Sequence, residues 1–72
     1  SENWVVVEGK ANVTLNKKNI ILQKSDSIFI PQGAVHRIQN REKSILKIIE
    51  VQTGNYLGED DIIRIKDIYG RA

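Results

Sequence analysis

From Ala11 to Leu15 the chain alternates without a break: Ala11, Val13 and Leu15 are apolar, and Asn12 and Thr14 between them are polar. A period of two sends alternate side chains to opposite faces of an extended strand, and a helix would mix the two sets. The same strand chemistry recurs along the sequence. Trp4 to Glu8 is rich in aromatic and β-branched residues, which fit a pleated surface. Gly9-Lys10 turns it. Asn16-Lys17-Lys18-Asn19 reads as a hairpin loop with residues that tolerate left-handed backbone, and Asn19 to Leu22 returns. Lys24-Ser25-Asp26 is a polar turn, Ile28 to Ile30 a fourth strand and Val35 to Gln39 a fifth. Ile45 to Gln52 is the longest, with Ile45, Ile49 and Val51 on one face and Leu46, Ile48, Glu50 and Gln52 on the other. Short strands about every eight to twelve residues, joined by polar turns, predict an antiparallel sandwich or barrel.

Length limits how much this pattern can build. The 72 residues make one domain, spanning 1–72, with a thin core. The absence of cysteine removes disulfides and thiolate metal sites, and fits a cytosolic, reducing compartment. No apolar run approaches the ~18 residues that span a bilayer, so no membrane partner is expected. The formal charge of +2 comes from scattered Lys and Arg. Scattered charge reads as solvated loops rather than as a nucleic-acid footprint. There is no methionine, and the chain opens at Ser1-Glu2-Asn3 just before a strand. This reads as a fragment cut from a longer protein.

One short segment carries candidate chemistry. Pro31-Gln32-Gly33-Ala34-Val35-His36-Arg37-Ile38-Gln39-Asn40 reads P-x-G-x-x-H-x-x-x-N. Proline and glycine force a tight turn after the strand Ser27 to Ile30, and the next strand aims the single imidazole of the chain at one face. Glu2 and Gly9 stand seven apart, as E-x(6)-G.

The longest strand and the tail add polar candidates. Glu50 and Gln52 share a face with Leu46 and Ile48, which fits either a lined cavity, with Glu50 as a base, or a solvent-facing edge. Arg64 and Arg71 could hold an anion through their planar donor forks. They could equally pair with Asp60, Asp61 and Asp67 nearby in sequence. Glu59-Asp60-Asp61 could cap a helix, but an acidic loop followed by a strand at Ile62 to Ile65 suits the β-branched residues better. Trp4 reads as core rather than as a ligand platform, and Tyr56 and Tyr69 read as packing the tail onto the body.

The E-x(6)-G and P-x-G-x-x-H-x-x-x-N fragments resemble the two halves of the cupin signature. A closer resemblance covers nearly the whole chain. Trp4-Val5-Val6-Val7, Ile30-Pro31-x-Gly33-x-Val35-His36-Arg37-Ile38-x-Asn40, Ile49-Glu50-Val51-Gln52-x-Gly54-x-Tyr56-Leu57-Gly58-Glu59-Asp60-Asp61-Ile62-Ile63-Arg64 and Asp67-x-Tyr69-Gly70-Arg71 look like the C-terminal cupin domain of type II phosphomannose isomerases. Members of that family are usually fused to mannose-1-phosphate guanylyltransferase. The resemblance implies an all-β fold, a cupin-type (jelly-roll) antiparallel β-barrel, here truncated at its N-terminal edge.

The resemblance also implies chemistry. The parent would interconvert mannose 6-phosphate and fructose 6-phosphate, and its fused domain would make GDP-mannose for polysaccharide. Moving a proton between C1 and C2 needs a base, and a metal or cation to hold the developing oxyanion. Cupins supply a divalent metal of the Zn or Co type through a His-x-His pair, a Glu and a later His. Glu2 and His36 match the last two, and the His-x-His pair would fall before Ser1. Metal binding by these 72 residues is therefore expected to be weak or absent, and isomerase activity absent. Within the parent, Glu50 and Arg64 are the candidate catalytic groups, and Gln52 and Arg71 the candidate substrate-binding groups. An unpaired edge and apolar surface near Trp4 to Val7 would favour a homodimer. The alternative is a non-catalytic sugar-binding or dimerisation module.

Overall fold

The computed structural model describes residues 1–52 and 62–70. The tail's acidic segment, Tyr56 and Arg71 lie outside the described residues. Seven strands and no helix make up the described residues: β1 Glu2–Glu8, β2 Ala11–Leu15, β3 Lys18–Leu22, β4 Ser27–Ile30, β5 His36–Gln39, β6 Leu46–Gln52 and β7 Ile62–Ile68. They form two antiparallel sheets, ordered β4-β1-β6-β7 and β3-β2-β5. This is the all-β antiparallel architecture expected from the alternation, consistent with the cupin-like form that the resemblance implies, and drawn as two sheets rather than one continuous barrel.

The period-2 reading holds in detail. Ala11 and Val13 of β2 and Leu46 and Ile48 of β6 are fully buried, while their neighbours in sequence face outward or are half-buried. Trp4, Val6, Leu22 and Ile30 complete the core between the sheets. The first strand is irregular near its end, where its register against β6 shifts between Val6 and Glu8. Gly9 follows at φ 89, and a Cβ on it would stand only 2.5 Å from the Ile45 carbonyl oxygen. No side chain fits there, so the sharp entry into β2 requires glycine.

Element boundaries shift by small amounts. Asn16-Lys17 alone forms the first hairpin loop, with Asn16 at φ 56, so β3 starts at Lys18 rather than Asn19. Pairing with β6 carries β7 on to Ile68, three residues past the expected end at Ile65. Two expectations about packing need correction. β1 is not an edge: it is paired to β4 on one side and β6 on the other, both from later in the chain. Among the described residues, the outer strands of that sheet are β4 and β7. Tyr69 does not pack onto the body either, and is 79% exposed.

Asn40, the last residue of the turn motif, fastens β7. Its amide nitrogen donates to the carbonyls of Ser44 (2.8 Å) and Ile68 (2.9 Å), and its oxygen accepts from the Glu42 N–H (2.9 Å). One side chain thus closes the 40–44 loop and pins the end of the last strand.

Candidate active site

Antiparallel register decides which side chains share the inner face of the larger sheet. Glu2 stands opposite Gln52, and Trp4 stands opposite Glu50. Glu50 in turn stands opposite Arg64, and Ile48 opposite Lys66. His36 comes from the other sheet, at the start of β5. Together these residues line an open cleft of about 500 Å³. Five of the six residues singled out in the sequence, Glu2, His36, Glu50, Gln52 and Arg64, meet on this one cleft. The sixth, Arg71, lies outside the described residues.

The turn before β5 aims His36. The Ala34 N–H bonds back to the Pro31 carbonyl (3.2 Å), and Gly33 takes φ 84. Asn16 of the neighbouring hairpin clamps Val35 from both sides: its N–H donates to the Val35 carbonyl (2.6 Å), and its side-chain oxygen accepts from the Val35 N–H (3.2 Å). The imidazole Nδ1 then lies 2.9 Å from the Ala34 carbonyl oxygen. A carbonyl can only accept, so Nδ1 carries the proton. In the neutral ring, Nε2 is left with its lone pair.

That lone pair faces a carboxylate. His36 Nε2 is 3.7 Å from Glu2 Oε2. Two acceptors facing each other at that distance repel, unless a proton on Nε2 or a cation between them reconciles the charges. The other Glu2 oxygen is occupied: Oε1 accepts from the Trp4 indole N–H at 3.1 Å. Trp4 also meets the His36 ring edge-on, with centroids 5.5 Å apart at 68°. The donor set, an imidazole nitrogen and a carboxylate oxygen, fits a divalent cation of the Zn or Co type. Among the described residues no third His, Cys, Asp or Glu joins these two.

The far side of the cleft is built differently. Glu50 is 5% exposed, on a strand flanked by β1 and β7. It therefore lines a cavity and not a solvent-facing edge. A buried carboxylate needs a partner, and Lys66 Nζ donates to Glu50 Oε2 at 3.2 Å. The lysine reaches in from the rim, where its side chain is 45% exposed. Asp67, weighed as a partner for Arg64, sits on the opposite face of β7 and meets Lys47 at 4.0 Å. Among the described residues the cleft holds three cations, Arg37, Arg64 and Lys66, against two carboxylates, Glu2 and Glu50. This balance suits an anionic ligand.

Sequence reasoning missed Lys66 and the double contact of Trp4. The signal was present in both cases. Lys66 follows Arg64 by two, and Trp4 follows Glu2 by two, so each pair shares a face of its strand.

Comparison with known proteins identifies the chain's family. The family described as mannose-6-phosphate isomerase C-terminal matches residues 1–67. The chain belongs to that family. Among curated relatives, a mannose-1-phosphate guanylyltransferase of Klebsiella pneumoniae is 51% identical over all 72 residues. The alginate biosynthesis protein AlgA of Pseudomonas aeruginosa is 52% identical over the same span. The xanthan biosynthesis protein XanB of Xanthomonas campestris is 49% identical. The chain spans 15% of the length of each of these relatives. No solved structure matches it. Among the described residues no helix is long and apolar enough to cross a membrane.

Proposed function

We propose that this domain is the aldose–ketose isomerase part of a cytosolic mannose-6-phosphate isomerase/mannose-1-phosphate guanylyltransferase that supplies GDP-mannose for polysaccharide. Family membership supports the isomerase half, and the relatives' names support the guanylyltransferase half and the link to alginate and xanthan. The observation that carries the reading is the cleft itself. Two carboxylates, an imidazole and, among the described residues, an excess of cations line one concavity, whose volume falls in the range of about 300–1,000 Å³ usual for small-molecule sites.

The proposed roles follow from this reading of the cleft. Glu50 is the base that carries the proton between C1 and C2 of the sugar. Its burial beside Trp4 and Ile48 excludes water, and Lys66 holds its carboxylate in place. Arg64 and Lys66, at the rim, hold the phosphate of mannose 6-phosphate or fructose 6-phosphate, and Arg64 also stabilises the developing enediolate charge. Gln52 orients a sugar hydroxyl beside Glu2, and Arg71 remains a candidate for the phosphate. Glu2 and His36 would hold the divalent metal, which when bound polarises the sugar's carbonyl oxygen. With two donors from these 72 residues, the affinity for Zn²⁺ or Co²⁺ should be weak, since catalytic sites typically use three protein ligands.

The test uses a longer polypeptide that carries this domain with the remaining length seen in the relatives. His36→Ala there should abolish isomerisation of mannose 6-phosphate and leave guanylyl transfer intact. An isomerase unaffected by His36→Ala would overturn the reading in favour of a sugar-binding module.

A further inference from the structure

We propose that Trp4 is the positioning residue of the Glu2–His36 pair, presetting both side chains to receive a divalent cation before it arrives. The inference rests on the metal reading above and goes beyond it, because Trp4 donates nothing to a metal.

Three contacts carry it. The Trp4 indole N–H donates to Glu2 Oε1 at 3.1 Å, so one carboxylate oxygen is tied and the other, Oε2, is left toward His36. The edge-to-face contact with His36 at 5.5 Å and 68° supports the imidazole from the side. The backbone then fixes the remaining freedom of the ring through the Nδ1–H bond to the Ala34 carbonyl at 2.9 Å. The two free lone pairs, Glu2 Oε2 and His36 Nε2, are left facing each other at 3.7 Å. A flexible carboxylate on the first residue of a strand would otherwise sample several rotamers.

Trp4 itself cannot move to accommodate them. It is 3% exposed, and its strand is paired on both sides, to Ile28 of β4 and Glu50 of β6. The indole is therefore a fixed donor anchored in the core, with its N–H at the cleft wall. Buried indoles usually place their N–H on a partner, and here the partner is a candidate ligand. Partners that hydrogen-bond ligands from outside typically change metal affinity 10–100-fold when removed. Trp4→Phe keeps an aromatic ring against His36 and deletes the N–H, so it isolates this effect.

The experiment has two readouts on the 72-residue chain. The first is metal-free: exchange of the Trp4 indole proton by NMR, in the wild type and in Glu2→Ala. Glu2 lies outside the core cluster, so Glu2→Ala leaves the core intact. A charged acceptor should slow indole exchange, and its loss should speed exchange about tenfold or more. The second readout is a Co²⁺ titration followed by paramagnetic shifts of the His36 ring. Trp4→Phe should weaken Co²⁺ binding about tenfold or more. Val6→Ala, which damages the same strand's core packing without touching the pair, should leave the affinity unchanged.

Each result decides the matter. Equal Co²⁺ affinity in wild type and Trp4→Phe overturns the proposal, and so does an indole proton indifferent to Glu2→Ala. An equal loss of affinity in Val6→Ala overturns it too, because the effect would then be general loosening. If the wild-type chain shows no Co²⁺ effect on His36, the titration and Trp4→Phe are read in the longer polypeptide, and no effect there overturns the metal reading. The positioning of Glu2 by Trp4 is then decided by the indole exchange alone.

Discussion

The two ends of the cleft hold one carboxylate each and treat it in opposite ways. At the far end, Glu50 is buried and already paired with Lys66 at 3.2 Å. At the near end, Glu2 gives one oxygen to an indole N–H and turns the other toward an imidazole lone pair. The first carboxylate already has a cationic partner, whereas the second faces another acceptor at 3.7 Å. On the proposed reading, the first acid serves proton transfer and the second serves coordination. The division follows from β1 and β6 lying side by side. Trp4 stands directly opposite Glu50, and Glu2 lies one step further along the same face, opposite Gln52.

The largest expected effect tests whether the ends are separate. In the longer polypeptide, Glu50→Gln should lower isomerase turnover about 10²- to 10⁴-fold, the usual worth of a general base. Co²⁺ binding at His36 should be untouched. Glu2→Gln should do the reverse in order: metal affinity falls first, and turnover falls with it. If Glu50→Gln weakens Co²⁺ binding as much as Glu2→Gln does, the two carboxylates act as one site and the comparison breaks.

Next in size is the lysine. Lys66→Met removes the charge partner of Glu50 while keeping an apolar stem. A buried carboxylate left with no partner should cost about 1–3 kcal/mol, read as a lower urea midpoint at constant slope. The upper half of that range is discounted because Lys66 is half-exposed and water screens it. In Glu50→Gln the same lysine change should cost much less, since the buried carboxylate is already gone. A cycle with no coupling would mean Glu50 does not depend on Lys66.

The near end was more legible in sequence than the far end, for a physical reason. His36 is aimed by a local turn, Pro31 to Ala34, whose proline and glycine announce themselves. Period-2 alternation likewise gave the strands, and it placed Glu50 on the face of Leu46 and Ile48. Lys66 reaches Glu50 only through the register of β7 on β6, which pairs residues far apart in sequence. Alternation along one strand states which face a residue takes and nothing about its neighbour across the sheet. The order of the strands was hidden for the same reason, so β1 read as an edge when β4 and β6 flank it.

A smaller effect should come from the clasp on β7. Asn40→Ala leaves the carbonyls of Ser44 and Ile68 and the N–H of Glu42 without their partner. The loss should be about 1–2 kcal/mol, limited because water reaches this loop. It should act on the far end alone: amide exchange in β7 quickens and the Lys66–Glu50 coupling weakens, while the indole proton of Trp4 keeps its protection. Loosening at both ends would show that the cleft is one mechanical unit.

The smallest effect belongs to Gly33, and it tests the near end by itself. Gly33 takes φ 84, a left-handed conformation that costs an L-residue about 1–2 kcal/mol. Nothing lies within 4 Å of where its Cβ would stand, so the whole cost of Gly33→Ala is backbone strain. We expect a stability loss of about 1 kcal/mol, at the low end because an exposed turn can relax. Relaxation moves the turn that aims His36, so Co²⁺ affinity should fall a few-fold while the Lys66–Glu50 coupling stays put. A 72-residue chain can be made by chemical synthesis, which allows D-alanine in place of Gly33. A D-residue adopts positive φ without strain and restricts the unfolded chain, so the D-alanine variant should equal or exceed glycine in stability. It should also keep wild-type Co²⁺ affinity. If the L- and D-alanine variants behave alike, the turn's handedness does not aim the imidazole, and the local account of the near end is wrong.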